Sequence, residues 1–330
     1  MWCHVGRGVA AALGLLGLLG AAGQPSAARA GEITVTHYGT SMYGVPYAVA
    51  KANNLFKAAG METPGFLTSQ GGGTSVRNAL AADIPFGEVA TSAAIAAIKQ
   101  GLPIKIVSSG VNTVGDILWI ARKDDDRVKG AKDLDGKTIG YSSPKGGADM
   151  VLSEILRVTG AKAEKRAVGG AGSSLTALRE KGVDITWTQE PIWSREKDNY
   201  RLVFNSADFI PKISQTVGIV RADYLKANPG IIRSIIEARK QAVDVIYKDP
   251  KAVADIVAKE YKMDPEVIFE AIKTVSTIKG VNYWSRGEID YVGLETSLRT
   301  LQQVEAVDSK PIDWASVVSE EALPADLKRK

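Results

Sequence analysis

The order of apolar and polar positions divides the chain into an apolar leader, two regions of alternating character and a tail. From residue 33, short runs rich in β-branched residues alternate with amphipathic stretches, as where ITVTHY is followed by VPYAVAKANNLFKAAG. A strand period of two and a helix period of about 3.6 therefore take turns along the chain. This alternation is typical of parallel strands joined by crossover helices, and it predicts an α/β fold with mostly parallel sheets flanked by helices.

A charged stretch poor in large apolar residues, RKDDDRVKGAKDLDGK at 122–137, interrupts this alternation. The strand and helix patterns restart at TIGYSS, which predicts a second α/β domain of roughly a hundred residues. We expect a two-lobed protein with crossover strands near 117–123 and 215–221 as its hinge. The predicted divisions are a leader at 1–30, the first part of lobe 1 at 31–121, lobe 2 at 122–217 and the second part of lobe 1 at 218–330.

The last part of the chain is mostly helical by pattern. Three amphipathic segments begin with Asn or Asp followed by Pro, at Asn228, Asp249 and Asp264. An Asn or Asp side chain caps the free N–H groups of a first turn, and Pro suits the first helical position because its missing N–H costs nothing there. We therefore predict a helical tail that packs back on lobe 1.

Residues 1–30 have the three-part pattern of a secretory signal peptide. MWCHVGR carries one Arg and no acid, GVAAALGLLGLLGAAG is a short apolar core, and ARA at 28–30 is a small-x-small cleavage site. The apolar run is short for a membrane span, so we predict cleavage near Ala30, export and a periplasmic location. An uncleaved anchor helix is the alternative.

The amino-acid composition mainly excludes certain kinds of site and partner. The leader holds the only cysteine, Cys3, so the exported chain has no disulfide, thiol nucleophile or thiolate metal site. Two of the 41 basic residues also lie in the leader, which leaves 39 basic against 37 acidic side chains and gives no reason to expect binding to nucleic acid or anionic lipid. His37 is then the only histidine, and its place in ITVTHY predicts a structural residue inside the first strand.

Glycine- and serine-rich runs occur at three places where a strand pattern gives way to a helix pattern: QGGGTS at 70–75, SSPKGGAD at 142–149 and GGAGSS at 169–174. Sheets of this kind bind ligands at the carboxyl ends of their strands, and the free N–H groups of a helix start favour anions. The structural alternative for any one run is an ordinary cap or turn. None matches a Walker loop or G-x-G-x-x-G, so nucleotide hydrolysis and dinucleotide binding are not indicated.

The chain resembles the periplasmic substrate-binding proteins of ABC importers, in the group that takes up sulfonates, taurine, nitrate and related solutes, with NMT1/THI5-like relatives. The resemblance covers residues 33 to about 305 and depends on GGGTSVRNALAADIPFGEVATSAAIAAIKQG, LDGKTIGYSSPKGGADMVLSEIL and VGGAGSSLTALREKGVDITWTQEP. It implies the type II fold of that class, in which two α/β lobes close around one small solute.

Carried over by position, the resemblance also implies a set of ligand-binding residues. They are Tyr38, Thr40, Ser41, Met42, Gln70, Gly72, Gly73, Thr74, Thr91 and Ser92 in lobe 1, and Ser143, Lys145, Gly146, Gly147, Gln189 and Glu190 in lobe 2. Trp187 lies two residues before Gln189 on the same strand face, so it either stacks on the ligand or packs in the core.

Two positions depart from the family pattern. Glu88 stands where the family usually has a small or apolar residue, and Lys145 stands where Gly or Ser is common. Lys145 suits an anionic head group or is a solvated lysine, while Glu88 and Glu190 suit an amine or amide N–H, or serve as caps and ion-pair partners. The residues favour an anion such as a sulfonate, carboxylate or nitrate, and leave amines, zwitterions and pyrimidines or other nitrogen heterocycles open.

The resemblance implies a monomer that delivers its solute to a membrane permease and, through it, to an ATPase subunit. One histidine and no cysteine exclude most catalytic triads, and neither H-E-x-x-H nor a calcium-loop motif occurs. The cysteine cluster of the pyrimidine synthase relatives is also absent. We therefore expect no catalytic residue, no metal site, no cofactor and no membrane insertion after cleavage. A same-fold enzyme and a periplasmic sensor partner are the alternatives.

Overall fold

A computed structural model describes residues 31–69, 71–144 and 146–329. The signal peptide predicted at 1–30 lies outside these residues. Within them, no helix is both long enough and apolar enough to span a bilayer.

Ten strands occur in the described residues. They are β1 (Glu32–Val35), β2 (Gly65–Leu67), β3 (Phe86–Ala90), β4 (Ile104–Val111), β5 (Ile117–Arg122), β6 (Thr138–Tyr141), β7 (Glu164–Ala167), β8 (Ile185–Gln189), β9 (Tyr200–Asn205) and β10 (Thr216–Arg221).

Thirteen α-helices occur in the same residues. They are α1 (Val45–Ala52), α2 (Leu55–Ala58), α3 (Gly73–Ala81), α4 (Thr91–Lys99), α5 (Gly147–Thr159), α6 (Ala171–Arg179), α7 (Ile192–Glu196), α8 (Ala222–Ala227), α9 (Pro229–Lys248), α10 (Pro250–Tyr261), α11 (Pro265–Ser276), α12 (Tyr291–Gln303) and α13 (Trp314–Val317). Short 3-10 helices lie at Met42–Gly44, Ala131–Asp133, Ser206–Asp208 and Ala325–Leu327.

The strands form two five-stranded sheets, in the orders β2-β1-β3-β10-β4 and β7-β6-β8-β5-β9. In the first sheet β10 runs antiparallel to β3 and β4, and in the second β5 runs antiparallel to β8 and β9. The other strand pairs are parallel. The two-lobed α/β architecture with mostly parallel sheets is therefore confirmed, and each sheet contains one antiparallel strand, β10 or β5, which is the first strand after a connection between the lobes.

The predicted lobe boundaries need correction. We expected lobe 1 to continue to residue 121, but β5 pairs within the second sheet. The charged stretch at 122–137 is the surface loop from β5 to β6, because a charged composition marks solvated backbone whether or not a lobe ends there. At the other boundary β10 belongs wholly to the first sheet. The two connections between lobes are thus 112–116 and 206–215, and the expected hinge strands each lie inside one sheet.

The helical tail packs on lobe 1, as predicted, with α9 against α1 and α2 and α10 against α1. Asp249 and Asp264 cap their helices through the N–H groups of Ala252 and Glu266, at 3.1 and 2.7 Å. Asn228 begins α9 without a side-chain cap, so that part of the prediction is wrong. Its φ of −134° and ψ of 48° differ from the extended backbone that an N-cap usually adopts.

Helix α12 extends the tail onto the second lobe. Its Leu298 and Leu301 are buried in the lobe 2 core with Val151 and Ile155 of α5. Arg299 also lies 3.6 Å from the carboxylate of Glu154 on α5. Helix α11 likewise packs against α7 of lobe 2. The lobes are therefore joined by two covalent connections and by two packed tail helices among the described residues.

Candidate functional site

A cavity of about 1000 Å³ lies between the two lobes. Lobe 1 contributes the segments after β1, before α3 and at the start of α4, and lobe 2 contributes the segments before α5 and α6 and the end of β8. These are carboxyl ends of strands and amino ends of helices, as expected for ligand sites in parallel sheets. The second connection between lobes adds Ser214 and Gln215 to the wall.

Three helices of nine or more residues begin at this cavity with a glycine. The residues before their first turns are Gly72 for α3, Gly146 for α5 and Gly170 for α6, and none receives a side-chain cap. The first N–H groups of each helix therefore have no capping side chain and carry the positive end of the helix dipole. Main-chain donors from both lobes line one space, which is the arrangement that a small polar or anionic ligand requires.

The backbone at the start of α3 requires glycine. Gly71 has φ of +89°, and Gly72 has φ of +63° with ψ of −154°, a region that only glycine occupies readily. A methyl group on Gly71 would also lie 2.8 Å from His37 Nε2, whereas one on Gly72 would meet nothing within 4 Å. Gly71 thus makes room for an imidazole, and Gly72 opens directly onto free space.

The rest of the wall is largely apolar. Its larger side chains are Val114, Ile117, Met150, Val151, Ile192, Ile213, Leu301 and Val307. Among the described lining residues there is no Lys, Arg, Asp or Glu. The cavity wall therefore combines main-chain N–H groups, hydroxyls and amides with a larger share of hydrocarbon surface.

Nine of the residues predicted from the resemblance line the cavity. They are Thr40, Gly72, Gly73, Ser92, Ser143, Gly146, Gly147, Trp187 and Gln189. Trp187 is only 8% exposed and packs in the lobe 2 core, and it also lines this space. Gln70 and Lys145 lie outside the described residues.

Six predicted residues lie away from the cavity wall. Tyr38 donates to Glu260 at 2.8 Å, and Thr74 accepts from Arg77 at 2.9 Å. Ser41 and Met42 are fully buried in lobe 1 around the first turn of the 3-10 helix. Thr91 is buried 3.2 Å from the hydroxyl of Ser214. These side chains shape the loops whose neighbours reach the cavity.

Glu190 is the sixth of these residues. It is fully buried, its Oε2 accepts from the Ser194 N–H at 3.1 Å, and its own N–H donates to the Asp116 carbonyl at 2.9 Å. Burial raises the pKa of the Glu190 carboxyl. It caps the turn into α7 and connects lobe 2 to the first interlobe connection.

Glu88 has a structural partner rather than a ligand. Its carboxylate lies 2.7 Å from Nε of Arg239 on α9, both side chains are 1% exposed, and Thr216 Oγ1 donates to it at 2.8 Å. A methyl group on Gly110 would approach Glu88 Oε1 to within 2.4 Å, so the glycine leaves space for the pair. The departure from the family pattern therefore belongs to a buried ion pair between sheet and tail.

Several lining residues were not predicted as ligand contacts. His37 lies after β1 rather than inside it, with a left-handed φ of +53°, because β1 ends at Val35. Tyr43, Ser214 and Gln215 also line the cavity. No motif marks them, since they follow a turn or lie on the connection between lobes. Ser142 and the run at 169–172 lie in glycine junctions that the sequence did indicate.

A buried carboxyl joins this wall to the connections between lobes. Asp116 is fully buried, and Gln215 Nε2 donates to its Oδ1 at 3.0 Å and to the Tyr43 hydroxyl at 2.8 Å. Burial raises the pKa of Asp116 to about 7, against the effect of hydrogen bonds from Gln215 and two tyrosines. Gln215 and Tyr43, which line the cavity, are thus linked to the Asp116 carboxyl group, whose burial favours its protonated, neutral form.

In sequence comparisons, the NMT1/THI5-like family model matches residues 41–253, well over half of the chain. The chain belongs to the NMT1/THI5-like family. No curated protein sequence matches it significantly. Within the described residues, no group of three or more His, Cys, Asp or Glu side chains is placed to hold a metal ion.

Solved structures with this fold include binding proteins and an enzyme. The periplasmic aliphatic sulphonate binding protein SsuA of Escherichia coli is 14% identical, with 88% of this chain and 97% of that chain covered and a TM-score of 0.71. The periplasmic nitrate-binding protein NrtA of Synechocystis PCC 6803 is 14% identical, over 89% and 88%, with a TM-score of 0.65. The desulfurization enzyme DSZB is 12% identical, over 89% and 97%, with a TM-score of 0.64. Together they show the fold that this NMT1/THI5-like chain adopts.

Proposed function

We propose that this protein is the extracytoplasmic solute-binding component of an ABC importer, which captures a small organic anion between its lobes. The observation that carries the proposal is the meeting of three glycine-opened helix starts, from both lobes, at one cavity. A ligand held by donors from both lobes bridges them, so binding and closure become one event.

The anionic character of the solute follows from the donors. Free N–H groups and helix dipoles favour negative oxygen atoms, and glycine lets such atoms approach the backbone. The described part of the wall contains no carboxylate, and a carboxylate there would repel an anion. An amine or other cation would find no carboxylate there to pair with.

The organic character follows from size and from the apolar wall. At about 1000 Å³ the cavity is far larger than a nitrate ion requires, and Met150, Val151, Leu301 and Val307 offer it no hydrogen bonds. We therefore favour a sulfonate or carboxylate with a hydrocarbon or aromatic body. Tyr43 and Trp187 on the wall keep a planar nitrogen heterocycle as the second candidate.

Delivery to a permease, the link to an ATPase subunit and the periplasmic location belong to this proposal. They are supported by family membership, by the leader sequence and by the similarity of the fold to the binding proteins SsuA and NrtA. The motion would occur at 112–116 and 206–215, with the monomer as the working unit. An enzyme of the DSZB kind is the alternative, but from residue 31 onward the chain has one histidine and no cysteine to act as nucleophile or base.

A thermal-shift screen of residues 31–330, unfolded and refolded to release any carried ligand, tests the proposal. The panel holds alkanesulfonates, taurine, nitrate, aromatic carboxylates and pyrimidines. A solute at a hundred times its Kd adds about 2.7 kcal/mol of stability. We expect an organic anion to give the largest rise in Tm and to be recovered unchanged. Turnover of the solute, or a rise only with pyrimidines, would contradict the leading assignment.

A further inference from the structure

His37 is held in a strained conformation at the cavity wall. Its φ of +53° lies in the left-handed region, which costs a non-glycine residue free energy. Its N–H donates to the Ser69 carbonyl at 3.0 Å, and its own carbonyl accepts from the N–H groups of Thr40 and Ser41, both at 3.1 Å. The main chain is thus fixed from both sides in a conformation that directs the side chain to the cavity.

The His37 imidazole has space beside Gly71 and no hydrogen-bond partner among the described residues. Gly71 has no side chain where one would approach His37 Nε2 to 2.8 Å. The ring meets the edge of Tyr43 at a centroid distance of 6.1 Å. None of the described residues hydrogen-bonds the imidazole. A partly buried polar ring on a cavity wall, whose two nitrogens bond to none of the described residues, is arranged for contact with something that enters the cavity.

We propose that His37 recognises the negatively charged group of the solute, and that its imidazole takes up one proton from solvent when that group binds. The proposal rests on the function proposed above, because it requires an anionic solute. The proton comes from bulk water or buffer and adds to a ring nitrogen, so a neutral imidazole beside an anion becomes an imidazolium paired with it.

The free protein favours the neutral ring. Burial lowers the pKa of His37 from its usual value of 6.5. An anion in contact would raise that pKa, since an opposite charge stabilises the imidazolium. Affinity for the anion is then greatest below the pKa of the free protein and falls as the pH rises through the interval up to the pKa of the complex.

Other charged or titratable groups around His37 are already engaged. Tyr43 accepts from Gln215, Glu88 is paired with Arg239, and Tyr38 donates to Glu260. Further groups on the neighbouring elements are Arg77 of α3, which donates to Thr74, and Asp116 behind Tyr43. Lys145, next to Gly146 in the sequence, lies outside the described residues. Asp116, whose pKa burial raises to about 7, also titrates within the pH interval of the proposed His37 titration but does not line the cavity. Among the described lining residues, His37 is the one whose charge changes there.

The single histidine makes the test direct. Residues 31–330, without an affinity tag, contain one imidazole, whose NMR signal reports its pKa without assignment by mutation. The probes are butane-1-sulfonate and benzenesulfonate at 10 mM, with butane-1-sulfonamide as the uncharged control. We expect a pKa below 6.5 in the free protein, a rise with a sulfonate that raises the Tm, and no rise with the sulfonamide.

A variant supplies the second measurement. His37→Asn keeps a residue that tolerates the left-handed backbone but removes the titration. Between pH 5.5 and 7.5 the wild-type Kd for the sulfonate should weaken by about tenfold, and the variant's Kd by less than twofold. A pKa that is unchanged by a bound sulfonate would overturn the role of His37 while leaving the proposed function intact. Failure of both sulfonates to raise the Tm would overturn the anionic-solute assignment, and this inference with it.

Discussion

Helices that face the cavity and helices of the tail begin in different ways. α3, α5 and α6 start at glycines without a side-chain cap, whereas α10, α11 and α12 start at Asp249, Asp264 and Asp290, each of which accepts an N–H of its own first turn. Every helix start has the same free N–H groups. Aspartate side chains accept one of these N–H groups at the starts of α10, α11 and α12, whereas no capping side chain accepts them at the starts of α3, α5 and α6. Local stability and ligand binding thus compete for the same atoms.

The largest effect should come from a charge placed at the most open helix start. Gly72→Asp adds a side chain where nothing lies within 4 Å and where the backbone, at φ +63°, disfavours one. We expect it to abolish binding of the anion identified by the screen, measured by calorimetry, because a carboxylate would occupy the anion's place. Retained tight binding would remove the start of α3 from the site.

Gly101→Asp separates strain from binding in that experiment. Gly101 also has a left-handed φ, of +77°, and nothing within 4 Å, but it follows α4 on the exposed surface. Both variants should lose stability in urea unfolding, and Gly72→Asp should lose more, because its ψ of −154° lies outside the left-handed region that Asp tolerates. Only Gly72→Asp should lose the ligand.

A second substitution turns a cavity helix into a tail-like helix. Gly170 has φ of −67° and ψ of 174°, which any residue adopts, and a methyl group there meets nothing within 4 Å. Gly170→Asp should cap α6 and leave stability unchanged or a few tenths of a kcal/mol higher, while affinity for the anion falls by about 100-fold. Gly170→Asn should also cap α6, but because its side chain is uncharged it should lose less affinity for the anion. Equal losses for the two variants would show that bulk, not charge, is what matters at this position.

A buried acid offers a contrast with the exposed aspartates of the tail. Because burial raises the pKa of Asp116 to about 7, the folded state holds its proton more tightly than the unfolded chain does. The associated stability is complete below about pH 4 and is lost as the pH rises through about 7. Asp116→Asn should therefore gain in Tm relative to wild type between pH 5 and pH 8. Exposed Asp126→Asn serves as the control and should show a constant difference, and a flat difference for Asp116→Asn would contradict the burial argument.

The smallest effect is expected in the tail. Asp264→Ala removes the acceptor of the Glu266 N–H and should cost about 1 kcal/mol in urea unfolding, with no change in the Kd of the anion. A change in Kd would mean that the tail helices are coupled to the cavity. That outcome would weaken the separation between stabilising and binding helix starts.

The fold followed from the sequence because period, caps and glycine junctions are local signals. The alternation of strands and helices was recognised, as were the caps at Asp249 and Asp264. The lobe boundary was not, since β5 joins the second sheet through pairing with β8 and β9, which are more than sixty residues away. The charged composition of 122–137 predicts a lobe boundary there, but the pairing of β5 places the boundary before β5.

The site was predictable to the extent that it is built from main chain. Gly72, Gly146 and Gly147 line the cavity, as their glycine runs at predicted helix starts indicate. His37, Tyr43 and Gln215 were missed, since their role depends on a left-handed turn and on the path of a connection. For Glu88 the sequence left an ion-pair role open beside a ligand role, but its partner Arg239 lies 151 positions along the chain and no local pattern joins them.

A cavity whose polar contacts come mostly from N–H groups has a consequence for how such proteins diverge. Main-chain donors survive almost any change of side chain, provided that the glycines and the helix starts remain. Proteins that share 12–14% of their residues with this one can therefore keep the same framework. If the cavity holds the proposed solute, substitutions among the apolar residues of the wall can change which solute fits while the framework stays the same.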